Sequence, residues 1–124
     1  PETEDVERAL LGVLERMRGS VLDKLGEASR RGDYGAERIF DEARWRVAVV
    51  QAVESGLGGG VRAIAEAQRI AAEFVPAIGG ALRQTLVEGR AAGEDDATLA
   101  ARAEAVFGER RLLLALEAIS DAIP

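Results

Sequence analysis

The first hydrophobic stripe of the chain predicts one long amphipathic helix. Between residues 3 and 31, apolar side chains recur at steps of three and four residues, the spacing that places side chains on one face of an α-helix. The stripe comprises Val6, Leu10, Val13, Leu14, Met17, Val21, Leu22 and Leu25. Gly32 then interrupts the periodicity, and Asp33 is a residue type that caps helices. We therefore expect a helix over residues 3–31 and the start of a second helix just after it.

The second stripe predicts a shorter helix that ends in a glycine-rich connection. Its apolar positions are Ala36, Ile39, Phe40, Ala43, Val47 and Val50. The sequence SGLGGG at residues 55–60 then places four glycines in six residues. No Gly-Lys-Ser/Thr follows them, so the pattern indicates a flexible connection and not a phosphate-binding loop.

The second half of the chain predicts two further helices. We expect the third over residues 61–92 and the fourth over residues 96–122, with breaks at 32–33, 57–60 and 93–95. The sequence Asp-Asp-Ala-Thr at 95–98 is typical of a helix start, because acidic side chains interact favourably with the positive end of the helix dipole. The prediction is an all-α, antiparallel four-helix bundle that forms a single domain over residues 1–124.

Internal similarity suggests that the bundle is built from two copies of one hairpin. A shift of 67 residues aligns AERIFDEARWRVA (36–48) with AEAVFGERRLLLA (103–115), and a shift of 61 aligns the first helix with the third. The matched pairs include Gly19 with Gly80, Gly32 with Gly93 and Phe40 with Phe107. Residues 1–57 and 61–124 would then be αα-hairpins related by a pseudo-twofold axis, with Gly19 and Gly80 at a close crossing. The alternative is chance similarity between helices rich in Ala, Glu and Arg.

Two equivalent segments carry more apolar side chains than one core stripe needs. WRVAVVQAV (45–53) and LLLALEAI (112–119) are apolar on nearly every face, whereas a bundle helix needs a single apolar stripe. If Ala43, Val47 and Val50 face the core, the surplus side chains form an exposed patch, which is typical of an interface. We therefore predict a homodimer or a helical protein partner. The predicted interface residues are Trp45, Val49, Ala52, Leu112, Leu116 and Ile119.

Arg46 and Gln51 are the polar residues within this apolar segment. A guanidinium in a dry environment needs a carboxylate partner, and Glu42 lies one turn earlier, at the spacing of an ion pair. The alternative is a pocket for a small anionic or amide-bearing ligand. Its candidate binding residues are Trp45, Arg46, Gln51, Arg83 and Gln84.

Composition narrows the classes of function. The chain of 124 residues is 48% hydrophobic and 31% charged, as expected of a soluble globular domain. It has no cysteine and no histidine, so we expect no metal, no cofactor and no catalytic thiol or imidazole. The net charge of −6 argues against nucleic acid as a partner. The sequence predicts no membrane-spanning segment and no signal peptide, and therefore a cytoplasmic location.

The segment GDYGAERIFDEARWRVAVVQ (32–51) resembles the last helix of the all-helical chorismate mutases. In that family a short turn containing aspartate precedes an amphipathic helix that ends in a binding glutamine. The resemblance implies that Gln51 is the binding glutamine of a metal-free enzyme that works through Arg and Gln electrostatics. Val47 stands where the family has a polar residue. GDYGAERIFDEA and FVPAIG also resemble parts of the helical bundle that caps cobalamin domains.

These observations leave two hypotheses for the function. The first is a non-catalytic helical module for interaction or ligand binding, such as a homodimeric adaptor or scaffold. The second is an enzyme of the chorismate-mutase type. The two differ in whether Arg46 and Gln51 line a cavity.

Overall fold

The described part of the chain is helical throughout. The computed structural model describes residues 2–108, and in this range it contains α-helices and no β-strand. The helices are α1 (Glu2–Arg31), α2 (Ala36–Ile39), α3 (Glu42–Leu57), α4 (Val61–Ala91) and α5 (Asp96–Val106). The prediction of an all-α fold is confirmed for these residues, and the loops between α1 and α2, α3 and α4, and α4 and α5 fall at the expected breaks.

A break between α2 and α3 was absent from the sequence prediction, which had one helix across this point. Asp41 has an extended backbone conformation, with φ −83° and ψ 96°, and its Oδ1 accepts a hydrogen bond from the Arg44 N–H at 3.2 Å. Asp41 is therefore the N-cap that starts α3. Asp33, the expected cap, instead accepts a hydrogen bond from the Gly35 N–H at 3.1 Å and stabilises the turn before α2.

This break changes which side chains of the segment WRVAVVQAV (45–53) face the core. Trp45, Val49 and Val53 are buried in the single chain, with 5%, 0% and 0% of their surface exposed, whereas Ala43 is exposed and Val47 is 57% exposed. The prediction extended the phase of α2 into α3 as if the helix were continuous. The non-helical junction at Asp41 rotates α3 about its own axis relative to α2, so a different set of side chains reaches the core.

The fourth predicted helix is also shorter than expected. Asp95 starts α5 as an N-cap, because its Oδ1 accepts a hydrogen bond from the Thr98 N–H at 2.8 Å. The N–H groups of Phe107 and Gly108 bond to carbonyls three residues earlier, at Glu104 and Ala105, and this tightened turn closes the helix at Val106. The prediction of an unbroken helix over 96–122 is therefore wrong at 107–108.

The core lies where the faces of the helices meet. α1 packs against α2, α3 and α5, and α4 packs against α3 and α5. The predicted stripe of α1 is buried, except that Leu22 is half-buried. The largest side chains that are almost fully buried are Leu10, Leu14, Met17, Ile70, Leu82, Val6, Val13, Val21, Val49, Val53 and Val75. Buried polar side chains are absent from the described residues, so apolar contacts account for the packing of this core.

Close contacts between helices depend on glycines other than the predicted pair. A Cβ atom at Gly56 of α3 would lie 2.8 Å from the Val6 backbone of α1, and a Cβ at Gly89 of α4 would lie 2.6 Å from a methyl group of Leu99 in α5. A Cβ at Gly19 or at Gly80 would meet nothing within 4 Å. The predicted close crossing at Gly19 and Gly80 is therefore wrong.

We expect truncation of two valines of α3 to change stability by very different amounts. Val49→Ala should lower the free energy of unfolding by about 2 kcal/mol, because it removes two buried methyl groups and leaves a cavity. Val47→Ala should change it by less than about 0.5 kcal/mol, because that side chain lies on the surface. Urea denaturation of the two variants measures both values. A larger loss for Val47→Ala than for Val49→Ala would contradict the observed phase of α3.

Candidate ligand-binding cleft

A cavity opens between the second half of α1 and the junction of α2 with α3. Its volume is about 330 Å³, at the lower end of the range of roughly 300–1,000 Å³ found for small-molecule sites. Gly32, with φ of +69°, ends α1 and turns the chain back, so that the loop and α2 form one wall of the cavity while α1 forms the other. The indole of Trp45, at the start of α3, forms part of the lining.

Four cationic side chains from three helices line this cleft. Lys24 and Arg31 come from α1, Arg38 from α2 and Arg44 from α3. Lys24 and Arg31 are seven residues apart, about two helical turns, and therefore both reach the cleft. The Arg44 guanidinium lies over the Trp45 ring, 5.4 Å from its centroid, within the range of a cation–π interaction.

Most of the carboxylates in the lining already have partners. The three are Glu27, Asp33 and Asp41. Asp33 forms an ion pair with Arg38, with an N–O distance of 3.1 Å, and Asp41 caps α3. Neither Lys24 nor Arg31 forms an ion pair within 4.0 Å with the side chains that the structure describes, so both charges can interact with a ligand.

Two further cavities adjoin the cleft. A groove of about 590 Å³ continues along α1 and shares Lys24, Arg44 and Trp45 with the cleft. A smaller cavity of about 230 Å³ lies on the other side of the α2–α3 junction, where Arg83 is 3.9 Å from Glu42. The junction therefore separates one basic cleft from one smaller cavity.

The loop that borders the cleft is anchored to the start of α5. The Tyr34 hydroxyl donates a hydrogen bond to Asp96 Oδ1 at 2.7 Å, and the Ser29 hydroxyl donates to Asp96 Oδ2. The Arg90 guanidinium lies 4.0 Å from the centroid of the Tyr34 ring. These contacts fix the turn that carries Asp33 and leads into α2, from which Arg38 reaches the cleft.

The structure brings one of the predicted binding residues to the cleft. Trp45 lines it, whereas Arg46 and Gln51 are exposed on the outer side of α3 and line none of the cavities described above. Arg83 lines the smaller cavity, and Gln84 donates a hydrogen bond to Glu88 at 3.1 Å on the surface of α4. None of these cavities joins all five residues, because the phase of α3 turns Arg46 and Gln51 to the outer side of the helix. A binding role for these residues stays a prediction.

The expected ion pair of Arg46 with Glu42 is also absent from the described contacts. Glu42 instead lies near Arg83 of α4. Its carboxylate packs against Gly79 of the same helix, where a Cβ atom would collide with it. Glu42 points towards α4 while Arg46, one turn later, faces solvent, so the spacing of four residues did not produce a contact.

The predicted interface residues fall into two groups. Val49 belongs to the core, and Ala52 is half-buried and packs against it. Trp45 stacks on Phe40, with ring centroids 6.5 Å apart. These side chains are occupied within the single chain and do not form the predicted second face. Leu112, Leu116 and Ile119 lie outside the described residues.

The cations of the cleft were missed in the sequence. Lys24 had the pattern of a solvated surface residue, and Arg31 that of a residue favoured at a helix end. A signal did exist, because Arg16, Ser20, Lys24, Glu27 and Arg31 follow one another at steps of three or four residues. Such a stripe on the polar side of a helix also occurs on ordinary solvated faces, and only the position of α2 and α3 makes it a cleft.

The described residues contain neither a candidate metal site nor a membrane-spanning helix. Within the described residues, no group of three or more Asp or Glu side chains could hold a metal ion. No helix there is long and apolar enough to cross a membrane. Comparisons with models of protein families, with curated proteins and with solved structures found no match to this chain.

We expect the Asp96 anchor to make stability depend on pH in acid. The hydrogen bond from Ser29, and then that from Tyr34, hold the pKa of Asp96 below its ordinary value of 3.8. Because the native pKa lies below that of the unfolded chain, this carboxylate stabilises the fold above about pH 3.8, and the contribution is lost as the pH falls through the native pKa.

Urea denaturation of the wild type and of Asp96→Asn over a series of pH values tests this expectation. The wild type should be more stable at neutral pH, and the difference should narrow below about pH 3.8. Tyr34→Phe should lose less stability at neutral pH than Asp96→Asn does, because the hydrogen bond from Ser29 to Asp96 remains. A difference that is constant from neutral to acid pH would contradict this role of Asp96.

Proposed function

We propose that this chain is a non-catalytic helical module that binds a small anionic ligand in the cleft between α1 and the α2–α3 junction. The observation that carries the proposal is the convergence of Lys24, Arg31, Arg38 and Arg44 on one cavity of about 330 Å³. Lys24 and Arg31 form no ion pair there with the described residues. A carboxylate or phosphate would supply the missing partner through charge-assisted hydrogen bonds.

The electrostatic setting supports an anion in preference to a cation. The chain carries a net charge of −6, so a cluster of four cations stands out against an acidic surface. The partnered carboxylates, Asp33 and Asp41, are held by Arg38 and by the start of α3. With four cations against three carboxylates, the lining keeps a net positive charge, and a concave site with an excess of one sign of charge concentrates the opposite charge.

The geometry favours binding over catalysis of the mutase type. That hypothesis needs Gln51 beside the bound substrate, but Gln51 and Arg46 are exposed and line none of the cavities described. The guanidinium and ammonium groups of the cleft can hold an anion by charge and hydrogen bonding. Binding therefore accounts for its residues without a chemical step.

The proposal includes an antiparallel bundle with two related halves. Antiparallel packing is supported by pairs that run in opposite directions along α1 and α5, where Arg18 meets Glu104 and Ser29 meets Asp96. The repeat is supported by two aligned features. Phe40 and Phe107 are each 5% exposed and follow the last residue of a helix, and Gly32 and Gly93 have φ of +69° and +70°.

The homodimer stays a prediction, on a smaller apolar surface than the sequence suggested. Trp45 and Val49 pack inside the single chain, so they are not available to a second copy. The large apolar side chains that are exposed in the described residues are Leu11, Val47, Val61, Ile64 and Val87. Val47 is the member of this set that lies on the predicted interface helix, and a dimer through α3 would use it.

Sedimentation velocity of the unmodified chain at micromolar concentration tests the dimer. We expect a dimer that Val47→Glu converts into a folded monomer, because a buried charge without a partner opposes association and the core is unchanged. Trp45→Glu, in contrast, should unfold the chain. A monomeric wild type would remove the homodimer while leaving the cleft proposal untouched.

Ligand binding can be followed through the fluorescence of Trp45, the single tryptophan of the chain. Succinate and inorganic phosphate are suitable probes, titrated at constant ionic strength. We expect a saturable change in emission, since the indole lines the cleft. Lys24→Gln and Arg31→Gln should each weaken binding about five-fold, which corresponds to about 1 kcal/mol for a solvent-exposed charge pair.

Arg8→Gln is the matched control, because it removes an exposed cation from the same helix outside the cleft. It should leave the affinity unchanged, and circular dichroism should show that all variants are folded. Absence of a saturable response to either anion, or equal affinity in the wild type and in the Lys24→Gln/Arg31→Gln double variant, would overturn the proposal.

A further inference from the structure

The cleft is one end of a longer trough on the surface. The adjoining groove of about 590 Å³ shares Ser20, Lys24, Glu27, Arg44 and Trp45 with it. Beyond these shared residues the groove extends towards Arg16 and Asp23 of α1. The two cavities therefore form a continuous trough between α1 and α3 that is much longer than a small anion.

The cations along the α1 side of this trough are regularly spaced. Arg16 and Lys24 are eight residues apart, which is about 12 Å along a helix, and Lys24 and Arg31 are seven apart, about 10.5 Å. The three charges thus cover about 22 Å. Arg16, like the other two, forms no ion pair within 4.0 Å with the side chains that the structure describes. A single small anion reaches one of these charges or two neighbours, but not all three.

We propose that the trough binds an extended acidic segment of a partner protein, with one carboxylate on every third residue. This inference rests on the proposed function and names its ligand class. A polyproline II segment has three residues per turn and rises about 3.1 Å per residue, so every third side chain lies on one face at intervals of about 9.3 Å. This interval is shorter than the spacing of about 10.5 to 12 Å between the cations on α1. The side chains of Arg16, Lys24 and Arg31 are long enough to close this gap.

The carboxylates of the trough select spaced over dense negative charge. Asp23 and Glu27 lie between the three cations along α1 and line the groove. They repel a ligand that presents charges side by side, such as a run of consecutive glutamates. They tolerate a ligand whose uncharged residues pass them, and Gly19, Ser20 and Ala48 leave room in this part of the groove.

Two peptides of identical composition test the inference. The spaced peptide is Glu-Pro-Pro-Glu-Pro-Pro-Glu, and the clustered peptide is Pro-Pro-Glu-Glu-Glu-Pro-Pro, both acetylated and amidated to remove the terminal charges. Proline holds both in the extended form. Titrations monitored by Trp45 fluorescence should show that the spaced peptide binds about five-fold tighter or better, as expected for one further engaged charge pair.

Arg16→Gln separates this inference from the proposed function. Arg16 lines the groove but not the first cavity, so its loss should weaken the spaced peptide about five-fold and leave succinate affinity unchanged. Arg8→Gln should leave both unchanged. Equal affinities for the two peptides, or no effect of Arg16→Gln on the spaced one, would overturn the inference while succinate binding keeps the proposed function. Failure of succinate, phosphate and both peptides would overturn both.

Discussion

The hydrogen bond from the Arg44 amide to the Asp41 carboxylate determines which side of α3 faces the protein interior. It caps α3 at a new start, so the phase of α3 is independent of α2. Trp45, Val49 and Val53 consequently enter the core, and Arg44 is placed over the Trp45 ring at the edge of the cleft. The same rotation sends Arg46 and Gln51 to the surface. This capping interaction thus sets the α3 side of the candidate site.

The cleft also depends on how the loop between α1 and α2 is held. Gly32 turns the chain after α1, and Tyr34 fastens the turn to Asp96 at the start of α5. Because Asp96 also accepts from Ser29 of α1, one carboxylate joins α1, the loop and α5. This arrangement keeps α2 beside α1, and Arg38 therefore reaches the cleft from the side opposite Lys24. Gly32 and Asp33 are exposed, and Tyr34 is half-buried against the core, so polar contacts supply much of the order of this loop.

The charged side chains of this acidic chain lie outside the described core. The described core contains no buried polar side chain, so the cations of the trough are not needed for packing. Substitutions at Lys24, Arg31 or Arg16 should therefore leave the fold intact, so that the proposed binding can be measured separately from stability. Trp45 is different because it contributes both to the core and to the cleft. Its ring packs on Phe40 in the core, and it also lines the cleft.

The sequence by itself determined the helical class, the three glycine-containing breaks and the core stripe of α1, because these follow from local periodicity and from residues that favour or end helices. It did not determine the phase of α3, which depends on the backbone angles at Asp41, nor which glycines lie at close contacts. The cleft could not be predicted from the sequence for a related reason. Lys24, Arg31, Arg38 and Arg44 each have an ordinary surface pattern, and only the packing of α1 against the α2–α3 junction brings their charges around one cavity.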